Sequence, residues 1–385
     1  MEEKMKFSAG RGELLSALQT VLSIVPTRTT LQVLSNVLLE VDNVKGVGKL
    51  RLAATDLDTF VLKTIPVNVL KNGEITIPAK VFADIIREAP ETEIEVGASD
   101  TRVEIKFGKG IYRISGITPD DFPKLPEINL AKQIKINGAE LSRMIRKTIF
   151  GVSSDETRAA LNGILWRTKG DKMEMVATDG HRLAKISLAN KKLKGMHEDV
   201  IIPPKVLNLL VRFIGDEENE VGIIFGENNI VFSLGDIVLS SRLIEGPYPN
   251  FEQVIPKESD KKLFADIQTL TNTVKRVAIL SNTLTHQVKL GLKKGKGKEG
   301  GNIELSSVNF DLGGEAQESI PCEYVGEDME VGYNANYMLD ILKQMEGDKV
   351  TLELSNPVSA GIIYSTPQPE GEEYLCLLMP LRLVE

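Results

Sequence analysis

The feature that most constrains this chain is that it repeats itself three times over its 385 residues. Glu13-Leu14-Leu15-Ser16-Ala17-Leu18 opens the first third. Glu140-Leu141-Ser142-Arg143-Met144-Ile145 opens the second, with Leu141 lying 127 residues after Leu14. Gln268-Thr269-Leu270 opens the last, with Leu270 another 129 residues on. Stacked solenoid units run to about 20–50 residues. Units of this length are complete domains, and three alike in a row point to a symmetric assembly. The expected domains are 1–127, 128–257 and 258–385.

Each third carries the same order of elements. The opening segment has helical periodicity, and alternating apolar and polar residues follow, as half-buried strands require. Leu50-Arg51-Leu52-Ala53-Ala54 and Met173-Glu174-Met175-Val176-Ala177 both run into Ala-Thr-Asp, at Ala54-Thr55-Asp56 and Ala177-Thr178-Asp179. The third copy is degenerate there, reading Leu305-Ser306-Ser307-Val308-Asn309. A second helix starts after Ile77-Pro78-Ala79-Lys80, after Ile202-Pro203-Pro204-Lys205 and after Tyr333-Asn334-Ala335-Asn336. Proline at a helix entry is favourable because its missing N–H would be unpaired there. More alternating strands come next, such as Glu93-Ile94-Glu95-Val96. Proline-rich turns close the first two copies, at Asp121-Phe122-Pro123-Lys124-Leu125-Pro126 and at Tyr248-Pro249-Asn250-Phe251 through Pro256. The fold class is therefore α+β, with two helices and many antiparallel strands per copy. Gly291 through Gly301 reads as a Gly/Lys hairpin tip.

Composition narrows the function. The chain is 42% hydrophobic and 26% charged, as ordinary globular proteins are. No apolar run reaches the ~18 residues of a membrane span, and Met1 through Phe7 lacks a signal-peptide stretch. Two cysteines, Cys322 and Cys376, make neither a disulfide framework nor a zinc site. A reducing, cytoplasmic setting is expected, with no metal and no cofactor.

Charge is segregated. The six predicted helices (12–23, 78–89, 138–149, 204–213, 268–279 and 335–345) hold ten basic and five acidic residues, in a chain of net charge −8. The basic ones are Lys80, Arg87, Arg143, Arg146, Lys147, Lys205, Arg212, Lys275, Arg276 and Lys343. Lys and Arg are also good helix formers on solvated faces. The alternative is that the helices share one basic surface that binds phosphates without reading sequence.

The segment Ala177 to Ala184 invites an enzymatic reading, with Asp179 and His181 as an acid–base or metal pair and Arg182 as an anion clamp. The signal is poor. One Asp and one His make no triad, the chain has three histidines in all (His181, His197, His286), and no Gly-rich loop follows a strand in the phosphate-cradling pattern.

Taken in order, several stretches resemble the bacterial DNA sliding clamp, the beta subunit of DNA polymerase III. They are Met5-Lys6-Phe7, Arg158 with Leu161-Asn162-Gly163, Ala177 through Ala184, Ala278-Ile279-Leu280-Ser281-Asn282, and Met379-Pro380-Leu381-Arg382-Leu383. The resemblance covers almost the full length; four residues precede Met5, and Val384-Glu385 extend past the usual end. It implies a non-enzymatic processivity factor: three domains with helices inside and sheets outside, and two subunits joined head to tail in a six-domain ring around duplex DNA. Twelve helices side by side at ~9 Å give a circle of ~110 Å, hence ~35 Å between opposite axes. Subtracting a helix diameter of ~10–12 Å leaves ~24 Å, enough for B-form DNA with water to spare.

By resemblance, Arg28, Lys80, Arg158, Lys205 and Arg212 would face DNA. The helix charges add Arg143, Arg146, Lys147, Lys275 and Arg276 to that expectation. The subunit joint would set Tyr112 and Ile114 against Ile279 and Leu280. A groove between the second and third domains would be lined by Leu161, Thr178, Gly180, His181, Arg182, Leu183, Pro249, Val254, Leu377, Met379, Pro380, Leu381 and Arg382. It would capture short extended peptides of the polymerase, the clamp loader and repair proteins. Two other readings remain open at this stage: an enzyme acting through Asp179 and His181, and a monomeric peptide-binding scaffold.

Overall fold

The structure is a computed structural model that describes residues 4–124, 129, 131, 133–190, 199–215, 219–295 and 301–383. Leu125 and Pro126 of the first linker, His197, the hairpin tip at 296–300, and Val384 and Glu385 lie outside the described residues.

Among the described residues, six α-helices form where the periodicity predicts them: α1 (Arg11–Leu22), α2 (Ala79–Glu88), α3 (Gly138–Thr148), α4 (Pro204–Ile214), α5 (Ile267–Ala278) and α6 (Ala335–Leu342). In α1 the buried residues are Leu14, Ala17, Leu18 and Val21, and in α5 they are Leu270, Thr273, Val274 and Val277. That i, i+3, i+4, i+7 spacing puts one stripe on the core, and each fully buried Leu or Val contributes about 1.5–3 kcal/mol. Side chains cap three starts. Asp266 accepts from the Thr269 N–H at 2.7 Å, Asn137 from the Glu140 N–H at 3.0 Å, and Asn334 from the Asn336 and Tyr337 N–H groups at 2.9 and 3.2 Å.

Contacts divide the chain into two compact units. The first unit comprises Met1–Ser142 and Lys205–Leu243. It holds a five-stranded antiparallel sheet in the order Asn68–Lys71, Met5–Gly10, Glu93–Ser99, Arg102–Phe107 and Gly110–Ser115. Its eight-stranded sheet runs Ile134–Asn137, Glu220–Phe225, Asn229–Leu234, Ile237–Arg242, Thr59–Pro66, Val47–Thr55, Asn36–Val44 and Gly73–Pro78. That sheet crosses from the second copy to the first where Ser241, Ser240, Leu239, Val238 and Ile237 pair with Thr59, Phe60, Val61, Leu62 and Lys63.

The second unit comprises Arg143–Pro204 and Ile244–Glu385. Twelve antiparallel strands make one sheet, starting with Asp199–Ile202, Ile164–Lys169, Lys172–Thr178 and Arg182–Ala189. It continues through Glu372–Leu378, Gly361–Thr366, Lys349–Leu354 and Lys261–Asp266 of the third copy. Gly314–Val325, Gly301–Asn309, Gln287–Lys293 and Met329–Asn334 complete it. Here the crossing from second to third copy pairs Arg182, Leu183 and Ala184 with Leu378, Leu377 and Cys376.

The two crossings are the same joint. In the first, the Arg242 N–H donates to the Asp58 carbonyl at 2.8 Å, and in the second the Met379 N–H donates to the His181 carbonyl at 2.8 Å. A single bridge recurs in each copy as well, at Thr76–Ile117, Ile201–Ile244 and Gly332–Leu381. Gly291 and Leu292, expected in a loop, belong to the strand Gln287–Lys293, which pairs with Asn302 through Ser306. Alternation of buried and open positions accounts for this, because Leu290 and Leu292 fill the core.

Candidate functional site

The repeated Ala-Thr-Asp is a turn, and its polar atoms are used up in making it. The Asp179 carboxylate accepts from the His181 and Arg182 N–H groups at 2.8 and 3.0 Å through one oxygen and from Arg182 Nε at 3.1 Å through the other. Thr178 Oγ1 donates to the Arg182 carbonyl at 2.6 Å and accepts from the Gly180 N–H at 3.1 Å. The first copy repeats this. Asp56 accepts from the Asp58 and Thr59 N–H groups at 3.1 and 2.7 Å, and Thr55 Oγ1 bonds the Thr59 carbonyl and the Leu57 N–H at 2.8 and 3.0 Å. Position 180 has φ +90°, which suits glycine, whereas Leu57 holds φ +84° with a branched side chain. In the third copy Asn309 plays the aspartate, accepting from the Leu312 N–H at 3.0 Å. An Asp179 so occupied gives His181 no acid–base partner; the imidazole instead lies 6.0 Å from the Tyr337 ring, nearly parallel to it.

Arg182 is likewise a strut. Its guanidinium is bonded to Asp179 and, at 2.6 Å, to Asp340, and it lies 4.5 Å from the Tyr337 ring and 5.3 Å from Phe150. With 11% of the side chain exposed, Arg182 is held by carboxylates and rings of the protein itself.

Behind that turn the joint between the second and third copies has an apolar face. Leu165, Val176, Leu183 and Ile201 come from the second copy, Ile362 and Leu377 from the third, and Phe251 packs against them. Leu183 and Leu377, expected as lining, form the buried floor, and Leu161, expected with them, is buried as well. The rim is open: Val254 and Met379 are 53% and 40% exposed, and Pro249, Gly180, His181 and Arg382 are exposed with them. Thr178, Pro380 and Leu381 are half-buried between floor and rim. Three bonds fix the C-terminal side of the rim: Met379 N–H to the His181 carbonyl, Leu381 N–H to the Gly332 carbonyl at 2.8 Å, and Gln287 Nε2 to the Arg382 carbonyl at 3.0 Å. Tyr248, missed by sequence reasoning, packs on this face, and its hydroxyl accepts from the Thr178 N–H at 3.1 Å. Burial pushes that hydroxyl above its usual range, so it stays a neutral donor and acceptor. Phe251 was also missed. Its signal was present, since Asp121-Phe122 and Asn250-Phe251 close their copies alike, and both rings cover the face.

Register distinguishes this face from its counterparts in the other two copies. The positions held by Leu165, Val176 and Leu183 are held in the first copy by Leu38, Ala53 and Phe60, and in the third by Lys289, Ser306 and Glu315. Across the joint, the place of Leu377 is taken by Ser240. The first face is therefore filled by Phe60 and walled with serine, while the third is charged, with Lys289 bonded to Glu330 at 3.1 Å. An aliphatic floor with an adaptable Met at its rim suits small apolar side chains of an extended peptide.

The basic residues separate into two groups. Arg28, Lys80, Arg146, Arg158, Lys205, Arg212, Lys275 and Arg276 are exposed. Among these Arg158 bonds Asp155 at 2.9 Å, Lys205 bonds Asp56, and Arg276 bonds Glu318 at 2.6 Å. Arg28 and Lys205 share a cleft of about 640 Å³ with Leu31 and Leu57. Arg143 and Lys147, expected to face DNA, are engaged by groups of the third copy. Arg143 forks onto Glu372 at 2.6 and 3.0 Å and onto Glu346 at 2.8 and 2.6 Å. Lys147 is 5% exposed, bonded to Glu346 and the Gln344 carbonyl, with its ammonium 5.0 Å from the Tyr374 ring. Carboxylates brought in by the third copy capture both cations, and the sequence spacing could not show this.

Of the expected joint residues, Tyr112 is exposed and Ile114 half-buried on Gly110–Ser115, and Tyr112 stacks on Phe107 at 5.0 Å. Ile279 is 74% exposed and Leu280 half-buried. Among the described residues, Gly110–Ser115 pairs on one side alone, and so does Gly314 through Cys322. No group of three or more His, Cys, Asp or Glu among the described residues could hold a metal ion, and no described helix is long and apolar enough to cross a membrane.

Comparison with known proteins bears on the whole chain. The family models of the DNA polymerase III beta subunit match in order: the N-terminal domain over 5–126, the central domain over 135–250 and the C-terminal domain over 252–382. The chain is 32% identical over 381 residues to the beta sliding clamp of Pseudomonas aeruginosa and 33% identical over 381 residues to that of Escherichia coli K12. Each match covers 98% of this chain and 100% of the relative. The crystal structure of a Pseudomonas aeruginosa DnaN sliding clamp bound to griselimycin superposes with a TM-score of 0.89 at 32% identity, covering 99% of this chain and 100% of that one. The Bacillus subtilis sliding clamp gives a TM-score of 0.91 at 27% identity, over 99% and 100%. With three consecutive domain models and relatives matched from end to end, the chain belongs to the bacterial beta sliding clamps, the DNA polymerase III beta subunit family.

Proposed function

We propose that this processivity factor works as a head-to-tail homodimer whose three copies per chain, 1–127, 128–257 and 258–385, make a ring around duplex DNA. It acts by topology and electrostatics and catalyses nothing. The observation that carries the reading is the pair of free strand edges. Gly110–Ser115 is the counterpart of Ile237–Arg242 and of the last strand, because the hairpins turn at equivalent glycines, Gly108 and Gly235, both at positive φ. Gly314–Val325 is the counterpart of Thr59–Pro66 and Arg182–Ala189, since each follows the same Asx turn. Two of these three edge pairs are joined within the chain. The third needs a second copy, and an unpaired edge is a ready template for one.

The register follows from the joints already made. Phe60 faces Ser240 and Leu183 faces Leu377, so Glu315 of one copy faces Arg113 of the other, and Gly314 faces Ile114. A Cβ at Gly314 would sit 3.2 Å from Leu280, which brings Ile114 to the expected Ile279–Leu280 surface.

Arg28, Lys80, Arg146, Arg158, Lys205, Arg212, Lys275 and Arg276 supply weak phosphate contacts that permit sliding. The groove floored by Leu161, Leu183 and Leu377 and rimmed by Thr178, Gly180, His181, Pro249, Val254, Met379, Pro380, Leu381 and Arg382 takes an extended peptide of the polymerase, clamp loader or repair proteins in the cytoplasm. Holding a polymerase there raises its local concentration at the primer end. The test is retention at high salt on closed circular DNA after loading by the cognate loader, before and after the circle is cut. Loss on cutting supports topological binding. Equal stripping of both forms by salt would mean ordinary electrostatic binding.

A further inference from the structure

The start of each copy's second helix rests on the turn of the copy before it, in both joints made within the chain. At the head of α4, Lys205 is bonded to Asp56 in the first-copy turn, and Val206 beside it is fully buried. At the head of α6, Tyr337 stands where Val206 does, stacking on His181 and holding Arg182 in the second-copy turn. The remaining members of this set are uncovered. Val81, the counterpart in α2, is 48% exposed. The remaining turn, in the third copy, exposes Phe310 by 87% and Leu312 by 69%. That turn is also longer, taking five steps from Asn309 to Gly314 where Asp56 to Thr59 and Asp179 to Arg182 take three.

We infer that Val81 of one copy packs against Phe310 and Leu312 of a second copy, forming an apolar lock beside the paired strand edges. This rests on the head-to-tail dimer proposed above. Each joint then has its own chemistry at the same place: a lysine–aspartate pair in the first, an arginine between carboxylates and rings in the second, and a salt-insensitive apolar contact in the third. Large apolar side chains left this open on a folded surface are the mark of a contact surface, and the extra loop length carries them to where α2 of the next copy begins.

The test is the dimer dissociation constant of the full chain, by sedimentation across concentration and salt. Val81→Lys and Phe310→Glu, each alone, should weaken the dimer roughly tenfold or more, since each puts a charge into an apolar contact made twice per ring. Both sites are on the surface, so an unchanged urea midpoint by far-ultraviolet circular dichroism, which reports both compact units, shows that folding is intact. The pair V81K/F310E, brought together across the joint, should recover much of the loss at low salt and lose it again at high salt. Phe310→Ser with Leu312→Ser should weaken the dimer without salt dependence. A wild-type dimer whose constant is untouched by the single changes, or single losses with no recovery in the pair, would overturn the lock while leaving the ring. A wild-type chain that stays monomeric at every concentration would overturn both.

Discussion

Replacing Arg143 by methionine should cost stability and leave DNA retention alone. Glu372 has 4% of its side chain exposed, and Arg143 meets it with two bonds of 2.6 and 3.0 Å. Removing one partner of a buried pair costs about 3–5 kcal/mol, because the other charge is left without compensation. Arg143 is itself 31% exposed, so water screens part of the loss and about 2 kcal/mol is expected. The single tryptophan, Trp166, is fully buried in the same compact unit, so its fluorescence reports the unfolding of that unit directly. With a urea slope of about 2–3 kcal/mol/M, the midpoint should fall by roughly 0.7–1 M. Replacing Glu372 by leucine in the same chain should recover part of that fall, since no buried charge is then stranded. Acid gives an independent reading. The Arg143 guanidinium, helped by Lys147, holds the Glu346 carboxyl down at about 2. Its folded value lies below the unfolded ~4.3, so this contribution is complete above about 4.5 and is lost as pH falls towards 2. Glu346 is 47% exposed, which limits the contribution to about 1 kcal/mol or less. Arg143→Met should flatten that acid limb. An unchanged midpoint together with lost retention on DNA would refute the brace and return Arg143 to the DNA-facing set.

Three further outcomes are expected. Met379→Asp or Val254→Asp should weaken binding of a labelled extended peptide of the polymerase by roughly tenfold or more, with the dimer unchanged in sedimentation. Gly180→Ala should lower the Trp166 urea midpoint by an amount equivalent to about 1 kcal/mol, because alanine pays for φ +90° where glycine does not. Exchanging Arg146, Arg212 and Lys275 for glutamine should leave the dimer intact and flatten the salt dependence of DNA binding by roughly 0.9 in slope per lost phosphate contact.

What the sequence by itself determined was local or periodic. The 3.6-residue spacing of Leu14, Ala17, Leu18 and Val21 placed α1 to within a residue, and the alternation through Leu50 to Ala54 placed its strand. The three copies were legible because the same local solution is written three times. The expected groove residues came from the family resemblance, through short stretches of characteristic order. What tertiary structure alone decided depends on residues far apart in the chain. Arg143, Arg146 and Lys147 are indistinguishable as helix cations; Glu346 and Glu372, far along the chain, capture two of them and leave Arg146 open. The face is aliphatic across one joint because Leu183 meets Leu377 there, where Phe60 meets Ser240 in the other. Sequence also divides the chain into three equal copies, whereas contacts divide it into two units. The reason is that strand edges have unsatisfied backbone bonds, so a sheet of one copy continues into the next; among the described residues Gly110–Ser115 and Gly314 through Cys322, the counterparts of strands joined in this way, pair on one side alone.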